Sequence, residues 1–423
     1  MMPTRILKFP DGFLWGAATA AHQVEGGNTN NDWYMFEQKG GCENGEVSGL
    51  AVDHYHRYEE DFDIAQSLNH NIHRFSIEWS RIEPCEGKFD PQAIKHYQDV
   101  VKALKKRGMK VILTLFHFTV PLWFAKKGGF EKSKNIKYFE RFVEYVASNL
   151  DAKVDYWVSI NEPNIYAFQN YLYGIFPAQK KSLLLFLCVY KNLISAHKKA
   201  YKTLHKILEN PRVGYSHNLI YCEPQSRQSF FDKMLFFVID FLHHRWFLEG
   251  CKKYLDFLGV QYYFHNILSF SFLRQFFRML RRRKKDFIKE AEGFFDKEVL
   301  KSDLGWEIYP QGVYYVLKQA GRYDIPIIIT ENGVADATDK IRQQFIHNHI
   351  KAAHQALEEG VDLRGYLHWT LTDNFEWNFG RSARFGLVEI DYEDNLKRKI
   401  RTSARYFAKI CQENQLEIET SSG

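Results

Sequence analysis

The stretch Ile327-Ile328-Ile329-Thr330-Glu331-Asn332-Gly333 decides the fold of this chain. Three consecutive β-branched isoleucines are typical of a strand that is buried on both faces of a parallel sheet. Asn332 and Gly333 tolerate the sharp turn that would end such a strand. The stretch therefore predicts that a carboxylate, Glu331, lies at the C-terminal end of a core strand.

A second stretch, Tyr156-Trp157-Val158-Ser159-Ile160-Asn161-Glu162-Pro163, ends in the same way. Taken alone, either glutamate is equally compatible with a plain strand end beside solvent. In an α/β barrel, however, the catalytic residues lie at the C-terminal ends of the strands. Two glutamates at two such ends are the minimum set for glycoside hydrolysis, so the pair favours a catalytic site.

Strand and helix patterns alternate eight times along the chain, and no linker rich in Gly, Ser or Pro interrupts them. The predicted strands cover residues 13–20, 73–79, 111–117, 156–162, 213–221, 257–263, 326–331 and 363–369. The predicted helices cover residues 53–68, 91–107, 137–149, 184–208, 230–248, 309–320, 341–357 and 400–412. This alternation predicts an α/β protein with a single (β/α)8 TIM barrel domain over residues 1–423.

The composition supports a large globular core, because 45% of the residues are hydrophobic and 26% are charged, which excludes a disordered chain. A net charge of +6 is modest and does not indicate a nucleic-acid partner. The six cysteines form no CxxC pair and show no metal-ligand spacing. The N-terminus has no apolar run typical of a signal peptide, and the longest apolar block, residues 183–190, is too short to span a bilayer. We therefore expect a soluble, cytoplasmic protein.

Further polar and aromatic side chains fall at or near the predicted strand ends. A barrel would bring them into one pocket with the two glutamates, where one carboxyl must stay protonated and the other charged. A separation of about 5–5.5 Å between the carboxyl groups would give a retaining enzyme, and a wider one an inverting enzyme. A cation and a tyrosine hydroxyl beside Glu331 would keep it ionised; for the cation, a purely structural ion pair under the barrel rim is the alternative. These side chains are Arg74, His117, Asn161, Gln261, Tyr263 and Trp369.

Six motifs in order resemble the β-glycosidases of glycoside hydrolase family 1 over essentially the full chain. Each motif is weak by itself, since Asn-Glu-Pro also occurs in other barrel glycosidases, but the ordered set is specific. The motifs are residues 13–26, residues 74–81, Asn161-Glu162-Pro163, residues 305–310, Thr330-Glu331-Asn332-Gly333 and residues 369–377.

The resemblance implies a role for each matching residue. Glu162 would be the general acid/base, Glu331 the nucleophile, and Asn161 the partner of the sugar 2-hydroxyl. Arg74 and Tyr263 match the residues that support the nucleophile. Gln261 stands in the same group, where the family usually has Asn, which would loosen the positioning. The remaining sugar-binding positions are Gln23, His117, Glu376 and Trp377 for hydroxyl groups, Trp369 for the platform under the sugar, and Trp306 on the aglycone side.

The implied activity is retaining hydrolysis of terminal, non-reducing β-D-glycosidic bonds through a covalent glycosyl-enzyme intermediate, without metal or cofactor. A β-glucosidase that tolerates β-galactosides or β-fucosides fits best, because the carboxylate of Glu376 would repel a 6-phosphate. Two alternatives stay open: a transglycosylase that uses the same site, and a non-catalytic glycan-binding relative. The second ranks low, since such relatives lose one of the two glutamates. Phe118 and Asn164 replace family tryptophans, so the aglycone preference is not readable.

The largest departure from the family lies between the fifth and sixth strands. Only residues 251–256 separate the helical pattern there from the sixth strand, where the family has a further helical segment. We therefore expect a reduced outer helical layer between strands 5 and 6, with an exposed barrel flank.

Residues 267–285 combine apolar residues at helical spacing with a basic opposite face. Such a helix can contact an anionic membrane surface or an acidic partner. The alternative, a helix beside the pocket entrance with a solvated basic face, is favoured because this pattern is common on soluble proteins.

Overall fold

Eight parallel strands close into a barrel in the computed structural model, which describes residues 4–150, 153–270 and 299–419. Each strand pairs with the next along the chain, and the eighth pairs with the first, from Gly365 beside Leu14 to Trp369 beside Ala18. The predicted (β/α)8 barrel is confirmed. Its strands are Leu14–Ala18, Ile72–Ser76, Lys110–Thr114, Tyr156–Asn161, Val213–Asn218, Leu258–Gln261, Ile327–Asn332 and Leu363–Trp369.

The outer helices bury one face each against this barrel. In Ile136–Asn149, for example, the side chains of Phe139, Phe142, Val143 and Val146 recur at intervals of three and four and are fully buried. Within the described ranges, none of the helices combines the length and the hydropathy required to cross a bilayer. The principal helices are His54–Ser67, Pro91–Lys106, Ile136–Asn149, Leu183–Ile207, Phe230–Asp240, Gln311–Gly321, Arg342–Glu358 and Thr402–Glu413.

Apolar side chains from most of the strands fill the barrel interior, so it is a packed core rather than a channel. The polar side chains that the strands carry at their C-terminal ends lie above this core. The core residues are Leu14, Ile72, Ile112, Tyr156, Val158, Phe257, Ile328 and Leu367.

Three short pairings of the described residues lie outside the barrel, among them the antiparallel pairing of Val388–Asp391 with Lys397–Ile400, and none was predicted from the sequence. Thr4–Lys8 and Gln415–Glu419 form an antiparallel ladder that joins the two ends of the chain. Tyr221–Pro224 pairs in parallel with His265–Leu268. The fifth barrel strand therefore ends at Asn218, not at residue 221.

The pairing of Tyr221–Pro224 with His265–Leu268 shows that the basic stretch 267–285, predicted as a helix, begins in a strand. Ile267 and Leu268 belong to a strand because their backbone pairs with Glu223 and Pro224, which local helical spacing cannot reveal. Residues 271–285 lie outside the described part of the chain.

After the helical segment that follows the fifth strand, only a short coil leads to the sixth strand, as the sequence predicts. The helix Phe230–Asp240 continues through a π-helical turn, Phe241–Arg245, into Trp246–Cys251. Residues 252–257, all of them described, then lead to the strand at Leu258 without another helix. A groove of about 670 Å³ opens between this segment and the helix Gln311–Gly321.

Asn414 ties the terminal ladder to the barrel. It caps the helix Thr402–Glu413 in the left-handed conformation (φ 51°), its Oδ1 accepts from Trp15 Nε1 at 2.9 Å, and its Nδ2 donates to Phe9 O at 3.0 Å. We expect Asn414→Ala to lower the free energy of unfolding by about 2–4 kcal/mol, because it adds left-handed strain and leaves the buried indole N–H without its acceptor. A urea titration followed by tryptophan fluorescence measures this loss.

Asn395→Ala is the matched control. Asn395 is also left-handed (φ 47°) but exposed, and Arg57 contacts only its backbone carbonyl. We expect a loss of about 1 kcal/mol there; equal losses in the two variants would contradict the role given to the Asn414 side chain.

Candidate active site

Glu331 lies in the seventh strand and is held by a cation and a phenol. Its Oε1 forms an ion pair with Arg74 Nη1, and its Oε2 accepts a hydrogen bond from Tyr263 Oη at 2.8 Å. Burial raises the pKa of the Glu331 carboxyl, whereas the Arg74 charge and the Tyr263 hydroxyl lower it. Both contacts favour the ionised form of this carboxyl.

Glu162 directly follows the fourth strand and has a different environment. Its Oε1 accepts from the neutral amide of Asn218 at 2.6 Å. Burial and then the nearby charge of Glu331 raise the pKa of Glu162 well above its usual value, against smaller lowering effects of Asn218 and Arg74. Of the two carboxyls, Glu162 is therefore the one that stays protonated.

Arg74 connects the nucleophile side of the site to Asn161. Its Nη2 donates to Asn161 Oδ1 at 2.5 Å, and Gln261 Nε2 donates to the same oxygen at 2.8 Å. Because two donors fix the amide oxygen, the amide nitrogen of Asn161 must face His117 Nε2, at 3.1 Å. Burial and the Arg74 charge hold the pKa of His117 well below its usual range, so the ring is neutral.

The neutral His117 ring has only one tautomer that fits this network. Since Nε2 accepts, Nδ1 carries the proton. Nδ1 is buried and has no partner within the described chain. The ring lies nearly parallel to Trp369 and Trp377, with centroids 6.1 and 5.9 Å away. His117 thus presents a free N–H donor between two tryptophans.

A third carboxyl, Glu376, completes the polar end of the pocket. Its Oε2 accepts from Gln23 Nε2 at 3.1 Å and from Trp369 Nε1 at 3.4 Å. Burial raises the pKa of Glu376 to about 8. The Oε1 of Gln23 is buried and has no partner in the described ranges, so this end of the pocket offers both acceptors and donors to hydroxyl groups.

The cavity beside these groups has a volume of about 310 Å³ and is lined by both polar and apolar residues. The size is at the lower end for a small-molecule site. Its apolar lining comes mainly from loops, and apart from Trp306 and Phe118 the sequence did not indicate these residues. These residues are Phe118, Ile165, Ile175, Phe176, Phe264, Trp306, Phe379 and Phe385.

Three bulky residues that line the cavity have a left-handed backbone: Phe118 (φ 70°), Glu162 (φ 40°) and Trp377 (φ 51°). At Glu162, Pro163 disfavours the right-handed helical region but does not by itself select the left-handed one. Such strain is typical of functional sites.

The structure brings all of the predicted site residues to the C-terminal side of the barrel, with two refinements. The Gln261 side chain contacts Asn161 rather than the Glu331 carboxylate, and Asn161 in turn contacts Arg74. Asn164 does not line the cavity; its amide donates to Asn218 O at 2.8 Å and fixes that strand end.

Asn218 is the contact that sequence reasoning missed. It is the last residue of the fifth strand, so the rule that selected the other strand-end residues would have found it had the strand end been placed correctly.

Two further histidines outside the cavity, His244 and His349, have protein partners. His244 contacts Asp240 and the N–H of Ile220, and His349 Nδ1 lies 2.8 Å from Phe345 O. In the part of the chain that the structure describes, no three His, Cys, Asp or Glu side chains are grouped to hold a metal ion.

Comparisons with known proteins agree with this site. The model of Glycosyl hydrolase family 1 matches residues 6–253 and 247–416. Beta-glucosidase A of Thermotoga maritima is 30% identical over 97% of this chain and 99% of its own length. A beta-galactosidase of Pyrococcus woesei is 29% identical over 96% and 97%. The solved structure of a beta-glycosidase from Pyrococcus horikoshii matches with a TM-score of 0.86 and 36% identity, over 97% of this chain and 96% of that one.

A closed barrel with paired glutamates in one buried cavity defines a glycoside hydrolase. With the family model matching nearly the whole sequence, the chain belongs to glycosyl hydrolase family 1, whose members act by a retaining mechanism. These relatives do not favour the alternatives of a transglycosylase or a non-catalytic glycan-binding protein.

The Tyr263 contact yields a prediction about pH dependence. Its hydroxyl lowers the pKa of Glu331, so Tyr263→Phe should raise that pKa. The acidic limb of the kcat/KM profile should then move to higher pH, since the role expected of Glu331 requires its ionised form. We also expect a roughly ten- to hundredfold lower kcat/KM at the optimum, the cost of one hydrogen bond to a charged group. An aryl glycoside assay across pH measures both effects.

Tyr262→Phe is the control for this prediction. The Tyr262 hydroxyl donates to the backbone carbonyl of Tyr309 at 2.8 Å and lies outside the cavity lining. Its acidic limb should match the wild type, and an unchanged acidic limb in Tyr263→Phe would contradict the assignment.

Proposed function

We propose that the chain hydrolyses terminal β-glycosidic bonds with Glu331 as the nucleophile and Glu162 as the general acid/base. The observation that carries this proposal is the contrast between the two carboxyls in one cavity. Glu331 contacts a buried cation, whereas Glu162 contacts a neutral amide. Each environment matches the protonation state that the role requires.

The reaction then proceeds in two displacements. Glu331 attacks the anomeric carbon while the bond to the aglycone oxygen breaks, and Glu162 gives its proton to that oxygen. In the second displacement Glu162 takes a proton from water, the water oxygen bonds to the anomeric carbon, and the ester bond to Glu331 breaks. The configuration at the anomeric carbon is retained because it inverts twice.

For the sugar itself, we propose an unphosphorylated hexose, with glucose preferred and galactose accepted. His117 Nδ1 and Gln23 Oε1 supply an unpaired donor and an unpaired acceptor for its hydroxyl groups. Within the part of the chain that the structure describes, the cavity lining includes three glutamates and neither Lys nor Arg, so a sugar phosphate would meet no counter-charge among these residues. The relatives named beta-glucosidase and beta-galactosidase support the same choice.

For the aglycone, we propose apolar aryl or alkyl groups. The cavity lining includes Ile165, Ile175 and Phe264, and the Trp306 ring packs on Phe264 with centroids 4.5 Å apart. Apolar and aromatic surfaces at this position gain from burying a hydrophobic leaving group.

Two alanine variants test the assignment of the glutamates. Glu331→Ala should lower kcat by about 10⁵–10⁶, as for other lost nucleophiles. Glu162→Ala should lower it by roughly 10²–10⁴ for alkyl glycosides and much less for dinitrophenyl glycosides, whose leaving group needs little protonation. Steady-state kinetics on both substrate classes measure the difference.

Added azide distinguishes the two roles. In Glu331→Ala, azide would attack from the vacated side in one displacement and give the α-glycosyl azide. In Glu162→Ala, it would attack the glycosyl-enzyme and give the β-glycosyl azide. Glu223→Gln, a glutamate outside the cavity lining, should keep wild-type kinetics. Azide products with the same configuration from both variants would refute the assignment.

A further inference from the structure

The helical segment that follows the fifth strand exposes large apolar side chains to solvent. At 100° per residue they cover a sector of roughly 120° on one side of the helix. The opposite side buries Leu235 and Asp232. An exposed apolar stripe of this kind marks an interaction site. Its members, here called the apolar face, are Phe230 (72% exposed), Phe231 (54%), Met234 (43%), Phe237 (62%), Val238 (48%) and Phe241 (47%).

The apolar face continues onto the strand end beside it. The Phe270 ring stacks on Phe231 with centroids 5.1 Å apart. The backbone N–H of Phe270 donates to the buried carboxylate of Asp232 at 2.8 Å. Phe270 and Ile267 are 37% and 58% exposed. The exposed surface is therefore built by two separate elements held together by defined contacts.

Most of the exposed charges beside the apolar face are basic; the exposed acidic residue of the same helical segment, Glu249, is paired with Lys252. Among residues 225–248, all of which the structure describes, the exposed charged side chains are Arg227, Lys233 and Arg245. The two acidic residues in this range are withdrawn from solvent: Asp232 is buried, and Asp240 contacts His244 and Gln319. A helix with aromatic residues on one face and basic residues at its edges fits the boundary between acyl chains and anionic headgroups.

We propose that the apolar face docks on an anionic lipid surface. A second copy of this chain fits less well, because a twofold contact would bring the same basic side chains together. A lipid surface can contact both the apolar face and the basic side chains at its edges. The phenylalanine side chains would enter the acyl boundary, and the flanking cations would contact phosphate groups.

Docking would also orient the cavity towards the lipid. The helix follows the C-terminal end of the fifth strand, where Asn218 contacts Glu162, and Phe270 follows the sixth strand, whose end carries Tyr263 and Phe264. The apolar face begins at the end of the barrel that holds the glutamates. The proposal does not depend on the catalytic roles of those residues.

Vesicle co-sedimentation of the full-length protein tests the proposal. We expect binding to vesicles of phosphatidylcholine and phosphatidylglycerol in equal parts, and weaker binding to phosphatidylcholine alone. A variant with Phe230→Ser, Phe237→Ser and Phe241→Ser should bind at least about tenfold more weakly. Lys233→Glu with Arg245→Glu should lose the preference for the anionic vesicles.

Ile6→Ser is the matched control, because Ile6 is 49% exposed on the terminal ladder and should leave binding unchanged. Near-ultraviolet circular dichroism verifies that each variant is folded. A wild-type protein that stays in the supernatant, or a triple phenylalanine variant that binds like wild type, would overturn the proposal. So would sedimentation velocity showing a wild-type dimer that the triple variant dissociates, since the apolar face would then join two copies.

Discussion

The buried guanidinium of Arg74 is the constraint on which the site depends. A cation removed from water costs several kcal/mol unless charges and hydrogen bonds replace its hydration. Here the replacements come from different strands: Glu331 from the seventh, Asn161 from the fourth, and Thr114 from the third, whose hydroxyl accepts from Arg74 Nε at 3.1 Å. They meet around the second strand only when the barrel is closed, so folding the barrel and assembling the site are one event.

The different behaviour of the two glutamates follows from this placement. Both carboxyls are buried, and burial alone would favour the neutral form of each. The cation lies against Glu331, so Glu331 keeps its negative charge. That charge then disfavours a second anion nearby and raises the pKa of Glu162. One fixed positive charge thus favours one charged and one neutral carboxyl, and in the proposed mechanism the acidic limb of activity would follow Glu331 and the alkaline limb Glu162.

The barrel and most of the polar site could be predicted from the sequence because both follow from local patterns. A buried parallel strand shows itself as a β-branched run, and the first polar residues after it fall at the catalytic end. Local sequence patterns did not predict strands whose partners are far away in the sequence. The ladder between Thr4–Lys8 and Gln415–Glu419 joins residues some four hundred positions apart. The separate strand Tyr221–Pro224 follows the fifth barrel strand so closely that the sequence pattern placed the strand end at residue 221. Asn218 was therefore not recognised as a strand-end residue. The apolar rim comes from loops, whose side chains meet only after folding.

Several features of this site are energetically unfavourable in the folded protein. Phe118, Glu162 and Trp377 have left-handed backbones. Each such conformation destabilises the folded state by about 1–3 kcal/mol. The buried Nδ1 of His117 and Oε1 of Gln23 lack partners within the described residues. A sugar hydroxyl can both donate and accept, so one bound hexose would satisfy both atoms without further rearrangement of the backbone. Because binding would pair two atoms that the folded protein leaves without partners, part of the affinity for the sugar derives from these two groups.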